Sequence, residues 1–550
     1  MEKRSIGLFL LLFVLLVQKG FAQDEARLSG NLELNANAFI RDTLIGATNT
    51  PQYDHQLFGA ENWLQLTYNY KGFELGGRFD FYNNSNLINP QSTFNGQGVG
   101  RWYISKDVQK LGITIGYIYD QIGSGIIFRA YEGRYLGIDN AVFGGRLTYN
   151  LNENWQVKGF VGKQKNRFEL YESVIKGGGI EGFISLGDTK KITLAPGVGI
   201  VNRTLDNNSM SLLVSSIRTY NVDNKFVPNY NNYAGTFYNT LTAGKFNWYV
   251  EASYKTEDAF RNQNGDRFLE DTGTVIYTSL GYANKGLGLV LEYKRTENFE
   301  FRIRPQEQLN MGLVNFLPPL TRVNTFRLLS RYNAATQFIG ELAYQADVSY
   351  KVNKRLGLNG NFSRIENLTG DLLYQEIFTE ATFKKRREWQ VIAGVQLQKY
   401  NQEVFEFKVD VPLVETITPY AEFLYKFDRK KALRIEAQYM HMNETESGGK
   451  IVKSDFGDWL FALAEFSIAP KWTFTISDMY NINPGKLSPT QSDGSEVEIH
   501  YPRFDIFYTH KTNRFSLSYI KQVEGVVCSG GICRLEPAFS GARFTVNSTF

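Results

Sequence analysis

The chain has 550 residues, 60 Lys and Arg against 56 Asp and Glu, and a formal charge of +4, so no net-charge argument favours nucleic acid. Mean hydropathy is −0.31, and after Val17 no apolar run approaches the ~18 residues that a membrane helix needs. Aromatics at 15 %, with 50 Gly and only 14 Pro, fit a membrane β-barrel instead: alternate residues face lipid and water, and the water-facing half dilutes the average hydropathy.

At the N-terminus, Lys3 and Arg4 precede an apolar run from Ile6 to Val17, and Gly20-Phe21-Ala22 before Gln23 forms a small-residue cleavage site. Residues 1–22 read as a signal peptide and residues 23–550 as one domain. Those first 22 residues hold three of the basic and one of the acidic residues, leaving a charge of +2. A mature chain starting at Gln23 has no N-terminal thiol to lipidate, so the barrel itself is the expected anchor. Leu28, Gly30, Leu32, Leu34, Ala36 and Ala38 then alternate with Ser29, Asn31, Glu33, Asn35 and Asn37. A strand beginning this early leaves no room for an N-terminal plug domain, which disfavours a TonB-dependent transporter.

The same alternation recurs along the chain. Leu111, Ile113, Ile115, Tyr117 and Tyr119 form one expected lipid-facing row, and Leu433, Ile435, Ala437 and Tyr439 another, opposite polar rows such as Arg434, Glu436 and Gln438. The enclosed side should therefore be wet. Eleven tight connections, from Lys71-Gly72 to residues 511–513, alternate with longer polar segments such as residues 41–59, 82–98, 257–271 and 443–457. Short turns on one side and long loops on the other are the periplasmic and extracellular ends of a closed antiparallel transmembrane barrel. Eleven turn-joined hairpins plus the first and last strands give about 24 strands, within a range of 22–26.

An unplugged barrel of that width would leak, because beyond ~16 strands the lumen is an open channel. Two segments are candidates for folding inward. Residues 120–139, the third long loop, are unusually apolar yet carry Arg129, Glu132, Arg134 and Asp139. If these line a constriction, opposed charges across it would sort solutes by charge and dipole. The alternative is that Arg129 pairs with Glu132, and Arg134 with Asp139, simply to hold the loop. Residues 299–340 are longer still and basic, with Arg302, Arg304, Arg322, Arg327 and Arg331. A loop of that length is expected to occupy the lumen or cap it, lining a path for anions or pairing with wall carboxylates such as Glu292 and Asp347.

The four histidines, His55, His441, His500 and His510, are scattered; Asp54 adjoins His55, but neighbours on a strand point to opposite faces, so adjacency gives no dyad, and no enzymatic activity is expected. Cys528 and Cys533 enclose Ser-Gly-Gly-Ile, which in an exported chain reads as a local disulfide and not as a metal or redox site. No metal or cofactor is expected. The last strand places Phe544, Val546 and Phe550 on one face and ends the chain on an aromatic, matching the assembly signal of outer-membrane barrels.

The stretch from Gly123 to Arg134, with Leu136-Gly-Ile-Asp-Asn, and the stretch Cys528-Ser-Gly-Gly-Ile-Cys-Arg-Leu-Glu-Pro-Ala-Phe-Ser-Gly together resemble a family of uncharacterised, porin-like outer-membrane barrels of Bacteroidota. The resemblance implies location and fold and no substrate. By analogy with porins, the third loop is the one whose inward fold narrows the pore. The expected function is a porin-like channel for small hydrophilic solutes, filtered by inward-folded loops, in the outer membrane of a Gram-negative cell. The alternative is a plugged barrel that binds surface lipoproteins, glycans or a secretion complex. Expected partners are outer-membrane lipid, the barrel-assembly machinery and, as a candidate, a surface lipoprotein; nucleic acid is not among them.

Overall fold

Period-two alternation makes every barrel strand two-faced, and closing the sheet removes the unpaired edges that lipid cannot hydrogen-bond. The computed structural model describes residues 26–187, 191–262, 264–385, 387–409, 411–447, 449–490, 496–529 and 532–550. The expected signal peptide and the turn at 188–190 lie outside the described residues. Among the described residues, twenty-four antiparallel strands form one closed sheet. The first, Ala26–Phe39, pairs with Phe58–Tyr70 on one side and with the last, Phe539–Thr549, on the other. Glu169–Gly182 and Ile184–Leu186 are one strand interrupted at Phe183, since both pair with Ile192–Thr204. Phe550 completes closure, exchanging backbone hydrogen bonds with Gly30 at 2.8 and 3.0 Å.

One rim carries the tight turns. Lys71 and Gly72 have φ of 48° and 76°, and Lys285 and Gly286 have 44° and 92°, the left-handed pairs that match a two-residue hairpin to strand twist. The other rim carries the long connections, with short ones at two places: Arg167 and Phe168 alone join Trp155–Asn166 to Glu169–Gly182, and residues 367–371 join Leu356–Glu366 to Leu372–Lys385. Several strands extend further than the alternation suggests. Residues 257–271 shrink to a loop at 262–267 between Phe246–Arg261 and Phe268–Asn284, and residues 443–457 contain a hairpin of Glu444–Ser447 with Lys450–Lys453. The loop after Ile192–Thr204 holds a helix, Asn207–Arg218, that the alternation gave no sign of. Asp206 caps it by accepting from the Ser209 N–H, and Met210, Leu213 and Ile217 bury its inner face.

The outer wall is apolar, with Phe237 53 % and Leu517 54 % exposed, a continuous belt far beyond the patches that soluble proteins tolerate. Near the turn rim it carries an aromatic girdle of contacting rings, among them Phe246–Tyr282, Phe383–Trp389 and Trp472–Tyr508. Aromatic belts of this kind mark the membrane–water boundary of outer-membrane barrels.

The lumen is layered. Toward the turn rim, inward positions are polar, and Arg434 alone holds Glu422, Glu436 and Glu465 at 3.2 Å each. Toward the loop rim, the expectation of a uniformly wet interior fails. There the inward positions include Tyr374, Tyr400, Met440 and Trp459, each 1 % exposed or less. Tyr119 also departs from its expected row. Gly116, at φ 108°, disturbs the pleat, the strand ends at Ile118, and the Tyr119 hydroxyl turns inward to donate to Asp139 at 2.8 Å.

Candidate functional site

Residues 119–141 fold into the lumen as two short arms, Asp120–Ile122 with Phe128–Ala130 and Glu132–Gly133 with Ile138–Asp139. The bend at Gly123 (φ 57°) needs glycine twice over, since a Cβ there would also sit 2.7 Å from Glu251 Oε1. Ile122, Ile126, Ile127 and Phe128, none more than 1 % exposed, pack on the wall residues Phe160, Ile175 and Val201.

The charged half of the loop is tied to the wall. Arg78 reaches Asp80 at 2.6 and 2.7 Å and Asp139 at 2.7 Å, and also bonds Glu132. Arg134 donates to Glu132 and to Glu33, both at 2.7 Å. Lys165 completes the set by bonding Asp139. Burial pushes the Asp139 carboxyl up, but Lys165 and Arg78 more than offset this and hold it below the usual range. Glu132, Arg134 and Asp139 thus meet in one network, though not in the expected pairs. Arg134 pairs with Glu132 and Glu33 and not with Asp139, because Arg78 and Lys165 on the wall outcompete it for Asp139. Arg129 makes no ion pair among the described residues; its guanidinium lies over the rings of Tyr131 and Phe316, at 4.6 and 4.1 Å. Alternation marks Arg78, Asp80 and Glu33 as inward-facing, whereas Lys165 shares the parity of the outward Val157 and Val161 and reaches the lumen only through the register shift between Lys163 and Lys165; nothing in the sequence says which loop they meet.

Residues 298–339 cross the remaining lumen between the strands Leu287–Glu297 and Gly340–Lys351. An irregular chain buried inside a barrel must have its peptide groups satisfied, and wall side chains supply the partners. Lys255 donates to Glu300 O at 2.7 Å, Arg203 to Arg302 O at 2.8 Å, Gln398 to Tyr332 O at 2.7 Å and Gln396 to Leu329 O at 3.2 Å, while Gln438 accepts from the Leu328 N–H at 2.7 Å. The two inward loops also bond each other, Arg129 N to Val314 O at 2.9 Å and Phe316 N to Gly125 O at 3.0 Å. Phe299, Phe301, Ile303 and Leu317 join the first loop in one apolar cluster, and Leu320, Leu328 and Tyr332 join Tyr374, Tyr400, Met440 and Trp459 in another.

The arginines of this loop do not reach Glu292 or Asp347, whose carboxylates accept from Tyr277 and Asn361. Arg302 pairs with Glu300 at 2.7 Å and Arg304 with Glu307 within the loop, where the chain's own carboxylates are nearer. Arg331 lies 3.8 Å from Asp455, between Phe456 and Trp459. Arg322 stacks 3.4 Å over the Phe378 ring. Arg327 is exposed, as are Val323 and Thr325.

The backbone register sets Cys528 opposite Cys533 in the hairpin of Gly525–Ser529 with Ile532–Glu536, but the Cys528 side chain lies outside the described residues. Phe544 and Phe550 are exposed on the outer face of the closing strand, 40 % and 61 %, with Val546 half-buried between them.

Where the first loop, the Arg167-Phe168 turn and residues 310–312 meet, they leave a crevice of about 70 Å³ lined by Glu132, Arg134, Asp139, Lys165 and Arg167.

A family model described as a family of unknown function (DUF6029) matches residues 1–550. No protein among the curated ones matches. Among solved structures, similarity is found to the siderophore receptor PirA from Pseudomonas aeruginosa (TM-score 0.41, 9 % identity, 95 % of this chain and 80 % of that one). It extends to the translocation pore of the P pilus usher PapC (0.39, 9 %, 95 % and 99 %) and to OccAB3 of Acinetobacter baumannii (0.34, 9 %, 96 % and 98 %).

Proposed function

We propose, for a chain that belongs to the family of unknown function DUF6029, that it is a plugged outer-membrane barrel which engages a ligand or partner at its loop rim and does not stand open as a pore. One observation carries this reading: the two inward loops contact the wall around the circumference. Arg134 and Arg78 tie the first loop to the first and third strands, the first apolar cluster covers the wall from Val142 to Val275, Lys294 bonds Pro318, and the second cluster runs from Ala343 through Trp459 and Ile520 to Phe39. A close-packed apolar layer excludes water and with it hydrated solutes. The intact chain, reconstituted in liposomes, is expected to retain a small hydrophilic dye; rapid release would reject the plugged state.

A porin-like filter is the second reading, and the charged crevice beside Arg134 and Asp139 favours it. It requires a water path from that crevice to the polar half of the lumen. Removing residues 123–138 would then raise dye flux that was already measurable in the intact chain.

Export by a cleaved signal peptide ending near Ala22, insertion by the barrel-assembly machinery through Phe544, Val546 and Phe550, and a disulfide between Cys528 and Cys533 belong to the same proposal. The register of the two cysteines and the closure of the sheet by the last strand support it. The polar loop rim is the surface offered to a lipoprotein or glycan.

A further inference from the structure

We propose that residues 402–409 form a latch on the plug: Lys408 holds Asp455, Asp455 holds Tyr332 of the second inward loop, and withdrawal of Lys408 releases that loop. The proposal rests on the reading of the barrel as plugged and names what regulates the plug.

Asp455 lies in the connection before Gly457–Ile468 and is 6 % exposed. The Tyr332 hydroxyl donates to its Oδ2 at 2.6 Å, Gln402 Nε2 to its Oδ1 at 2.9 Å and Lys408 Nζ to the same Oδ1 at 2.8 Å, with Arg331 3.8 Å away. One carboxylate thus joins the plug, the loop after Trp389–Tyr400 and the loop before Gly457–Ile468. Arg331 belongs to the plug itself, so Lys408, the nearer cation, is the one that an outer loop can withdraw.

This outer loop has a firm root and a tip held by charge. Its helix, Gln402–Phe405, is capped by Asn401, which accepts from the Val404 N–H at 3.1 Å, and Phe405 stacks on Tyr400 with ring centres 5.0 Å apart. Beyond the helix the chain is inside out. Phe407 is 70 % and Val409 82 % exposed, while Lys408 between them turns in to Asp455 and Glu406, at 2.8 Å each. Burial alone favours the reverse, apolar side chains in and lysine out. Phe407 also holds φ at 57°, a conformation that bulky side chains avoid and that persists only where the surroundings enforce it. The ion pairs of Lys408 supply that enforcement. When they break, the tip relaxes and Asp455 is left buried without its nearer cation, which is costly. The carboxylate then turns toward water, and the Tyr332 hydroxyl loses its acceptor.

Amide exchange of the full chain in detergent micelles tests the latch. Lys408→Met keeps the length of the side chain and removes its charge; it should speed exchange at residues 328–334 about tenfold and leave the barrel ladders unchanged. Lys408→Arg should restore most of the protection. Asp455→Asn should act on the same residues, and the double variant should be no worse than either single one, since both break one chain of contacts. Faster exchange confined to residues 402–409, or effects that add in the double variant, would overturn the latch. Dye retention by the intact chain reads the plug separately. A sealed barrel whose residues 328–334 ignore Lys408→Met refutes the latch alone, and a leaking intact chain refutes the plug and the latch with it.

Discussion

Arg78 is the residue on which the first inward loop depends. It is 4 % exposed and engages three carboxylates, two of which, Glu132 and Asp139, lie 54 and 61 residues further along the chain. Removing one member of a buried ionic network leaves the others uncompensated, which costs about 3–5 kcal/mol. Arg78→Ala should therefore release residues 131–140, seen as faster amide exchange there with the barrel's resistance to urea only partly reduced. Acid should act on the same joint. Asp139 and Asp455 are both held below the ordinary carboxylate range, Asp139 by Lys165 and Arg78 and Asp455 by Lys408 and Arg331, each against the upward push of burial. A depressed carboxylate contributes stability that is fully present above its unfolded pKa of about 4 and is lost as pH falls through the lower folded value. Leakage should thus rise only in strong acid, and Asp139→Asn should weaken the plug at neutral pH while flattening that response. Glu132, Arg134 and Asp139 could be marked from sequence because charge is conspicuous in an apolar loop. Their true partners could not, because pairing depends on how far each strand is staggered around the barrel.

At the scale of elements, the strands were legible and the loop paths were not. Each tight turn interrupts a two-residue period, so positions such as Lys71-Gly72 and Lys285-Gly286 stand out. Residues 298–339 have no period, and their path is set by side chains presented from distant strands. Gln396, Gln398 and Gln438 show how: an amide facing inward near the loop rim offers a peptide group what water would have offered. Gln438→Leu leaves the buried Leu328 N–H without its acceptor, at a cost of about 1–3 kcal/mol. Proteolysis should then cut selectively near residues 326–334 while the barrel stays intact. The cysteine hairpin makes a separate prediction. If Cys528 and Cys533 are joined, the unreduced protein takes up no iodoacetamide, and reduction costs about 2 kcal/mol through the small loop that is opened. Labelling of either thiol without reductant would refute the bond.

For the whole molecule, the decisive feature is that a wide barrel is filled by its own connections. The polar inward rows read from sequence are real, but they describe the half of the lumen near the turns. In the other half, Tyr374, Tyr400, Met440 and Trp459 face inward and pack against the plug. Alternation alone cannot tell an apolar residue facing lipid from one facing a plug, since both environments are dry. Glu297 lies opposite Gly340 in the ladder, so residues 300–337 can be replaced by a short Gly-Ser turn without stretching the barrel. Planar-bilayer recording of the intact chain and of this variant tests the closed lumen most directly. The intact chain should show no stable current steps, and the variant should show large ones. Steady open-channel conductance from the intact chain, or an equally silent variant that has inserted and folded, would contradict a barrel sealed by its own loops.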